Sequence, residues 1–151
     1  MPALSSEPWL TLEAEVAPPQ LFGKGEGFER RCVPITRGIV RGRLTGTGLP
    51  GGTDWQRILP DGTTDLEAHY AFETDRGELV EVTSNGLRSG PPETMRALLA
   101  GEKVDPALIY FRTAMRFRSE SPRLREFTTR LFIGVGRREP DRVLLDVYAV
   151  E

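Results

Sequence analysis

The feature that most constrains this chain is a strict alternation of apolar and polar residues that recurs in short segments. In residues 108–118, for example, Phe111, Met115 and Phe117 alternate with polar or charged neighbours. Successive side chains of a β-strand point to opposite faces of the sheet, so a period of two indicates a strand with one buried face. The same criterion predicts further strands over residues 9–16, 29–33, 36–48, 66–74, 79–85, 130–136 and 142–150.

Glycine and proline separate these segments, with 16 glycines and 12 prolines spread along the chain. Such spacing favours many short strands over long helices. Residues 75–77 (Asp-Arg-Gly) predict the turn of a hairpin. Two helical segments are expected. One opens at Pro91-Pro92 and closes at Gly101, and the other is one or two turns within residues 122–128.

The fold class predicted from these elements is all-β. About eight strands joined mostly by short turns predict an antiparallel, up-and-down β-barrel with one or two short helices. A barrel of eight strands encloses room for side chains or for one small ligand. With 151 residues, the chain is expected to form a single domain over residues 1–151. The alternation defines two faces of each strand but does not say which face lies inside.

Charge and hydropathy exclude several classes of partner. The net charge is −2, so no overall field favours nucleic acid or an anionic membrane. No apolar stretch approaches the 18 residues or so of a transmembrane helix, and residues 1–9 lack the basic and apolar regions of a signal peptide. We therefore expect a cytoplasmic protein whose partner is a small molecule.

No cofactor is expected. The chain has no Walker-type phosphate loop, and the glycine-rich residues 23–27 are interpreted as a plain loop. One histidine and one cysteine cannot build a common zinc site. Cys32 is interpreted as a small buried apolar residue, with a reactive thiol as the alternative.

Several polar and aromatic residues are candidates for a binding site. Asp54 and Trp55 follow a pair of glycines, in what the sequence predicts to be a loop. Asp54 either caps this turn or acts as an acid or base, and Trp55 either fills the core or forms the wall of a pocket.

The predicted strands carry further candidates. Glu67 and His69 share one strand face, and they form either a solvated exterior or an active pair. Tyr110 and Arg112 share a face of the 108–118 strand with the same two alternatives, although repeated arginines there favour an anionic or carbonyl partner. Arg88 follows a strand and either reaches across the barrel mouth or faces water.

Taken together, these blocks resemble a known family. The residues that carry the resemblance are 34–38 (Pro-Ile-Thr-Arg-Gly), 42–46, 49–55 (Leu-Pro-Gly-Gly-Thr-Asp-Trp), 61–62, 67–70, 75–77, 85–88, 110–113 and 145–148. Together they are similar to the DUF3237 family, also called UPF0311, over nearly the whole chain. The resemblance implies a small antiparallel β-barrel, commonly oligomeric. It also implies that a few relatives perform cofactor-free ring closure by adding a hydroxyl across an alkene.

Two positions depart from the family pattern. Arg37 stands in place of a glycine, and His69 stands where the family usually has arginine. The second change replaces a permanent cation with a group that titrates near neutral pH. If that position lined a pocket, anion binding would be weakened and an acid–base role would become available.

The function predicted from these residues is that of a cofactor-independent isomerase, cyclase or lyase acting on a small aromatic or polyketide-like molecule inside the barrel. Asp54 and Glu67 are the predicted acid/base groups, with His69 as a partner. Trp55, Arg88, Tyr110 and Arg112 are the predicted substrate-binding residues. We expect Asp54, Glu67, Arg88, Tyr110 and Arg112 to converge on one cavity. The alternatives are a lipocalin-like carrier and a structural barrel with a filled interior.

The first prediction concerns assembly. The family resemblance and the apolar residues on both sides of some strands, such as Leu79 beside Val80, predict a homo-oligomer. Light scattering should give a mass of at least two 16.8 kDa chains. A mass of one chain at all micromolar concentrations would contradict this prediction.

Overall fold

The computed structural model describes residues 1–151 as ten β-strands, two short α-helices and two single 3₁₀ turns. The strands are β1 (Leu10–Val16), β2 (Gln20–Gly25), β3 (Phe28–Gly42), β4 (Gly46–Gly48), β5 (Gly52–Ile58), β6 (Thr64–Thr74), β7 (Leu79–Ser89), β8 (Tyr110–Arg118), β9 (Phe132–Arg138) and β10 (Arg142–Ala149). The helices are α1 (Pro92–Leu99) and α2 (Arg125–Thr128), and the 3₁₀ turns are Pro106–Leu108 and Pro122–Leu124. No helix is long and apolar enough to cross a membrane.

The sheet closes into an eight-stranded antiparallel barrel because β1 pairs with β10 on one side and with β3 on the other. Each strand otherwise lies next to its neighbour in the sequence, and β4 and β5 together fill one position between β3 and β6. The predicted up-and-down barrel is therefore confirmed. The remaining strand, β2, pairs only with the first part of β3 and projects from the barrel with its side chains exposed.

The structure has two strands that the sequence did not predict. Residues 20–25 and 52–58, expected to be a connection and a loop, form β2 and β5. Both are rich in glycine or turn-forming residues, but each pairs with the long strand β3, as Gln20 does with Cys32 and Asp54 with Val33. Cross-strand pairing outweighs weak local preference here. For the same reason, the predicted segment 29–33 is joined to residues 36–42 as β3. The rest of the predicted segment 36–48 does not continue this strand, because it breaks after Gly42 and residues 46–48 form β4.

One half of the barrel interior is an apolar core built on aromatic rings. The Phe132 ring lies 5.0 Å from Phe117 and 5.5 Å from Trp9, and it stacks on Phe127 of α2 at 5.8 Å. All four residues are buried. Edge-to-face pairs of this kind add to the stabilisation that burial alone provides. This end of the barrel is thus filled and holds the strands in register.

The opposite end is closed by α1, whose buried residues are Met95 and Leu98. Between α1 and the aromatic core, the inward positions of the strands carry polar groups as well as apolar ones. Arg31, Gln56, Ser84, Arg88 and Thr113 are all buried. The apolar faces of the strands therefore point inward, as in a barrel with a dry core. This half of the interior, however, also contains buried polar and charged side chains.

The second prediction tests the aromatic core. Phe132→Ala should lower the free energy of unfolding by about 3–5 kcal/mol, because it removes a fully buried ring and leaves a cavity. Phe132→Leu should cost less, since it retains part of the volume. The neighbouring Leu131 is 57% exposed, so Leu131→Ala is the matched control and should change stability by about 0.5 kcal/mol or less. Urea unfolding followed by circular dichroism provides the measurement. Equal losses for Phe132→Ala and Leu131→Ala would contradict the assignment of the core.

Candidate active site in the barrel interior

The candidate site is a partly enclosed cavity in the barrel, with a volume of about 70 Å³. A single water needs a cavity of roughly 10–15 Å³, so this one has room for several waters or a small ring. Most of its walls are apolar, formed by residues such as Val33, Ile35, Leu66, Phe111 and Leu145. A few polar side chains converge on it, which is the usual composition of a small-molecule site.

Asp54 is the acidic residue at the centre of the polar groups. Strand alternation on β5 turns Asp54 and Gln56 inward and Trp55 outward. The Asp54 Oδ2 atom accepts a hydrogen bond of 2.7 Å from Gln56 Nε2, and Gln56 Oε1 accepts one of 2.7 Å from Arg31 Nε. The other carboxylate oxygen, Oδ1, is buried and has no partner in the protein. One oxygen is thus fixed in position by Gln56, while the other has no side-chain partner.

Burial raises the pKa of the Asp54 carboxyl above its ordinary value. The hydrogen bond from Gln56 and the charge of Arg88 oppose this shift, but burial has the larger effect. An aspartic acid with a raised pKa holds its proton closer to neutral pH, as a general acid must. This carboxyl can therefore both donate and accept a proton within the cavity.

Arg88 lies inward on β7 and is 1% exposed. Its Nε and Nη2 atoms are buried and meet no acceptor in the protein. Burial lowers the pKa of Arg88 to about 9, with the charges of Arg31 and Arg138 acting in the same direction and Asp54 opposing them. The guanidinium is therefore charged at neutral pH and has hydrogen-bond donors to spare.

The polar lining also includes the hydroxyl groups of Tyr70 and Thr113. Tyr70 lies on β6 and projects into the cavity. Gly52 lies beside it on β5, and a side chain there would place its Cβ only 2.5 Å from the Tyr70 Cβ, so this position requires glycine. Burial and the charge of Asp54 raise the pKa of Tyr70, so its hydroxyl stays neutral. Thr113 Oγ1 is buried without a partner, and Gly134 leaves space for it, since a Cβ there would come within 2.5 Å.

Four of the sequence-predicted residues lie on the outer surface rather than in the cavity. Glu67 is exposed, and His69 is also exposed and contacts Glu81 at 2.8 Å. Tyr110 is 55% exposed, and Arg112 lies over the Tyr110 ring at 5.2 Å. The prediction that all five named residues converge is wrong for Glu67, Tyr110 and Arg112. They occupy the strand positions opposite to Leu66, Phe111 and Thr113, which take the interior.

Trp55 also lies outside, where its ring packs at 5.2 Å from Phe22 and under the Arg30 guanidinium at 5.0 Å. It does not fill the core, and the pocket that it lines is one on the outer surface, shared with Arg30 and Glu67, rather than the interior cavity. Asp54 is in a strand rather than a turn, so it caps nothing. Of the predicted site residues, the structure brings Asp54 and Arg88 to the cavity.

Five residues of the site were not predicted from the sequence: Arg31, Gln56, Tyr70, Thr113 and Arg138. A signal was present for three of them, because Tyr70 alternates in step with Leu66, Thr113 with Phe111, and Arg31 with Val33 in the predicted strand 29–33. For Gln56 the signal depended on recognising β5 as a strand. No three side chains of His, Cys, Asp or Glu gather anywhere in the chain as a metal site would require.

Comparisons with known proteins agree with this architecture. The family described as "Protein of unknown function (DUF3237)" matches residues 4–150. A UPF0311 protein of Bradyrhizobium diazoefficiens is 41% identical over 149 residues, covering 99% of this chain and 98% of the relative. The crystal structure of a conserved protein of unknown function from Rhodopseudomonas palustris has a TM-score of 0.95 at 41% identity and covers 100% of both chains.

A more distant structure is described as an enzyme from Penicillium herquei. It has a TM-score of 0.72 at 20% identity, covering 99% of this chain and 95% of that one, so the likeness concerns the fold alone. The resemblance found in the sequence blocks is confirmed by the family match and by the relatives, which extend over almost the full length. The chain belongs to the DUF3237 (UPF0311) family of β-barrel proteins.

Proposed function

We propose that this protein is a cofactor-independent acid–base enzyme, of the isomerase, cyclase or lyase kind, that acts on a small aromatic or polyketide-like molecule in the barrel cavity. The observation that carries this proposal is the Asp54 carboxyl, which faces the cavity with Oδ1 unpartnered and a raised pKa. A carboxyl shifted in this way, in a cleft with polar neighbours, is a typical proton-transfer group.

In the proposed mechanism, Asp54 moves one proton between two atoms of the bound molecule. Oδ1 takes a proton from an acidic carbon or hydroxyl and returns it to another carbon or oxygen, so no electron acceptor is needed. Gln56 holds Oδ2 and is itself held by Arg31, which keeps the carboxyl in one orientation. Positioned proton transfer of this kind contributes roughly 10²–10⁴-fold to a rate.

Arg88 stabilises the negative charge that develops on a substrate oxygen when the proton leaves. A buried guanidinium that is already in place needs no reorganisation as the charge forms. Tyr70 and Thr113 are neutral hydroxyls on the cavity wall and can donate hydrogen bonds to the same or another oxygen. The apolar walls bind the ring and exclude water from the reacting atoms.

A lipocalin-like carrier is the second candidate, and the observation in its favour is the apolar character of most of the lining. In a carrier, the polar groups would only orient the ligand. The two functions differ in what Asp54→Asn does. In a carrier this substitution should alter affinity, whereas in an enzyme it should abolish turnover and leave binding of a neutral ring compound nearly unchanged.

The third prediction tests Asp54 through proton exchange. We expect the wild-type protein to accelerate deuterium uptake from heavy water into the acidic carbon of β-tetralone, followed by proton NMR. Asp54→Asn should lower this acceleration by about 10²-fold or more, because the amide cannot carry the proton. Asp65→Asn is the matched control: Asp65 pairs with Arg57 at 2.6 Å on the outer surface, and its substitution should leave the rate unchanged.

The proton-exchange experiment has two contradicting outcomes. Wild-type protein that exchanges no faster than heat-denatured protein would argue against catalysis of proton transfer. Wild-type and Asp54→Asn proteins with equal rates would show that another group moves the proton.

The fourth prediction concerns pH and stability. Because the pKa of Asp54 is raised in the folded protein, the folded chain binds more protons than the unfolded chain above the ordinary aspartate pKa of about 3.9. The free energy of unfolding of wild type minus that of Asp54→Asn should therefore decrease as the pH rises from about 4 to the folded pKa, and then level off. Urea titrations at several pH values give this difference, with Asp65→Asn as the control. A difference that increases with pH would mean that the pKa is lowered instead.

A further inference from the structure

We propose that Arg88 is an anion-binding subsite and that the substrate of the cavity is a small ring compound with one negatively charged oxygen, either a carboxylate or an ionised phenol or enol. This inference deepens the proposed function by naming its substrate class, and it depends on the cavity being the binding site. It does not depend on Asp54 moving a proton, so the two can fail separately.

Arg88 has hydrogen-bond donors that no group of the protein uses. A guanidinium has five N–H groups, and in this structure Nε and Nη2 are buried without an acceptor. Burying a charged donor with no partner is costly, so such groups are normally paired. Arg88 does not form a direct ion pair with Asp54, although the two charges influence each other. Since Arg88 lines the cavity, a ligand bound there would lie beside these unpaired donors.

Three arginines, Arg31, Arg88 and Arg138, lie around the cavity. The charge of Arg31 lowers the pKa of Arg88 and of Arg138, and the charge of Arg138 lowers that of Arg88. Asp54 interacts with all three, whereas Glu29 acts on Arg31 and Asp141 on Arg138. Arg31 is already engaged by Gln56, and Arg138 donates to the Arg142 carbonyl oxygen at 3.2 Å. Arg88 is the member of this group left without a partner, and an anionic oxygen would satisfy its donors and balance the charge.

Apolar surface lies next to the Arg88 guanidinium. The Arg88 guanidinium lies 5.6 Å from the centre of the Phe111 ring, and Leu66 and Leu145 line the same cavity. A free inorganic anion would leave these walls unfilled, whereas a ring that carries the anionic oxygen would contact both. The unpartnered Thr113 Oγ1 on the same wall offers a further hydrogen bond.

Anion binding at Arg88 should be coupled to the protonation of Asp54. A negative ligand favours the neutral form of a nearby carboxyl, so affinity should fall as the pH rises and Asp54 ionises. The other ionisable groups that line the cavity are Glu13 on β1, Arg37 on β3, Tyr70 on β6 and Arg138 on β9, with Arg31 of β3 behind Gln56. Glu13 is paired with Arg142 at 2.5 Å, and Tyr70 stays neutral because its pKa is raised.

The test uses benzoate and its neutral analogue benzamide as probes of the full-length protein, with affinities measured by calorimetry or ligand-observed NMR. Wild type should bind benzoate at least about tenfold more tightly, the effect of one charge-assisted hydrogen bond of roughly 1.5 kcal/mol. Para-nitrophenol tests the other kind of anionic oxygen, that of an ionised phenol. At a pH near its own pKa, the bound probe should absorb as phenolate to a greater extent than the free probe.

Arg88→Met should abolish the preference for benzoate while retaining benzamide, which shows that the cavity is still formed. Arg88→Lys should keep part of the preference because it retains the charge. Arg116→Met, on the exposed face of β8, is the matched control and should bind like wild type. In Asp54→Asn the preference should persist and lose its pH dependence, even though proton exchange is lost.

Equal affinities of the wild type for benzoate and benzamide, or binding of neither, would overturn the proposal, as would an undiminished preference in Arg88→Met. If Arg88→Met does not fold, the wild-type comparison and Arg88→Lys decide the question. Benzoate preference without proton exchange would support the anion subsite and contradict the proposed enzyme. Proton exchange without benzoate preference would support the proposed enzyme and contradict the anion subsite.

Discussion

Closure of the sheet is the constraint on which the rest of this structure depends. Because β1 pairs with both β10 and β3, the barrel has an inside that is separated from solvent by a continuous wall of backbone hydrogen bonds. Alternation then assigns every second residue of each strand to that interior. The Asp54 carboxylate and the Arg88 guanidinium, which occupy ordinary strand positions, are therefore buried and have shifted pKa values. On an open sheet that faces water, the same side chains would be solvated.

The two halves of the interior contribute differently. The aromatic end, with Trp9, Phe117, Phe127 and Phe132, buries large apolar surfaces and stabilises the closed barrel. The end near α1 buries charge, and removal of one partner from a buried charged group costs about 3–5 kcal/mol in other proteins. Burial of charge in the polar half therefore destabilises the fold, and burial of apolar surface in the other half offsets this loss. The barrel can consequently remain folded with unpartnered donors such as those of Arg88.

The sequence predicted the barrel because alternation and turns are local signals that survive in the fold, as in β8. The sequence could not predict which face of β6 and β8 lies inside. Alternation places Glu67 and Leu66 on opposite faces of β6 but does not say which of these faces turns inward when the sheet closes. The apolar residues decided this by their burial, and Glu67, Tyr110 and Arg112 were turned outward. Asp54 was predicted as a candidate acid or base but was placed in a loop. Its strand β5 became visible only through pairing with β3, and the inward position of Gln56 became visible with it.

Asp54 and Arg88 line the same cavity without forming an ion pair. Two opposite charges in contact would satisfy each other, hold the carboxyl ionised and leave little for a ligand to bind. In this barrel, Oδ2 of Asp54 accepts a hydrogen bond from the neutral Gln56, and Arg31 donates its hydrogen bond to Gln56 rather than to the carboxyl. Burial consequently has a larger influence on the carboxyl than any cation, so its pKa is raised rather than lowered. Arg88 retains its charge and its free donors. The same arrangement that makes Asp54 a potential proton donor thus makes Arg88 a potential anion site, and one bound molecule can contact both.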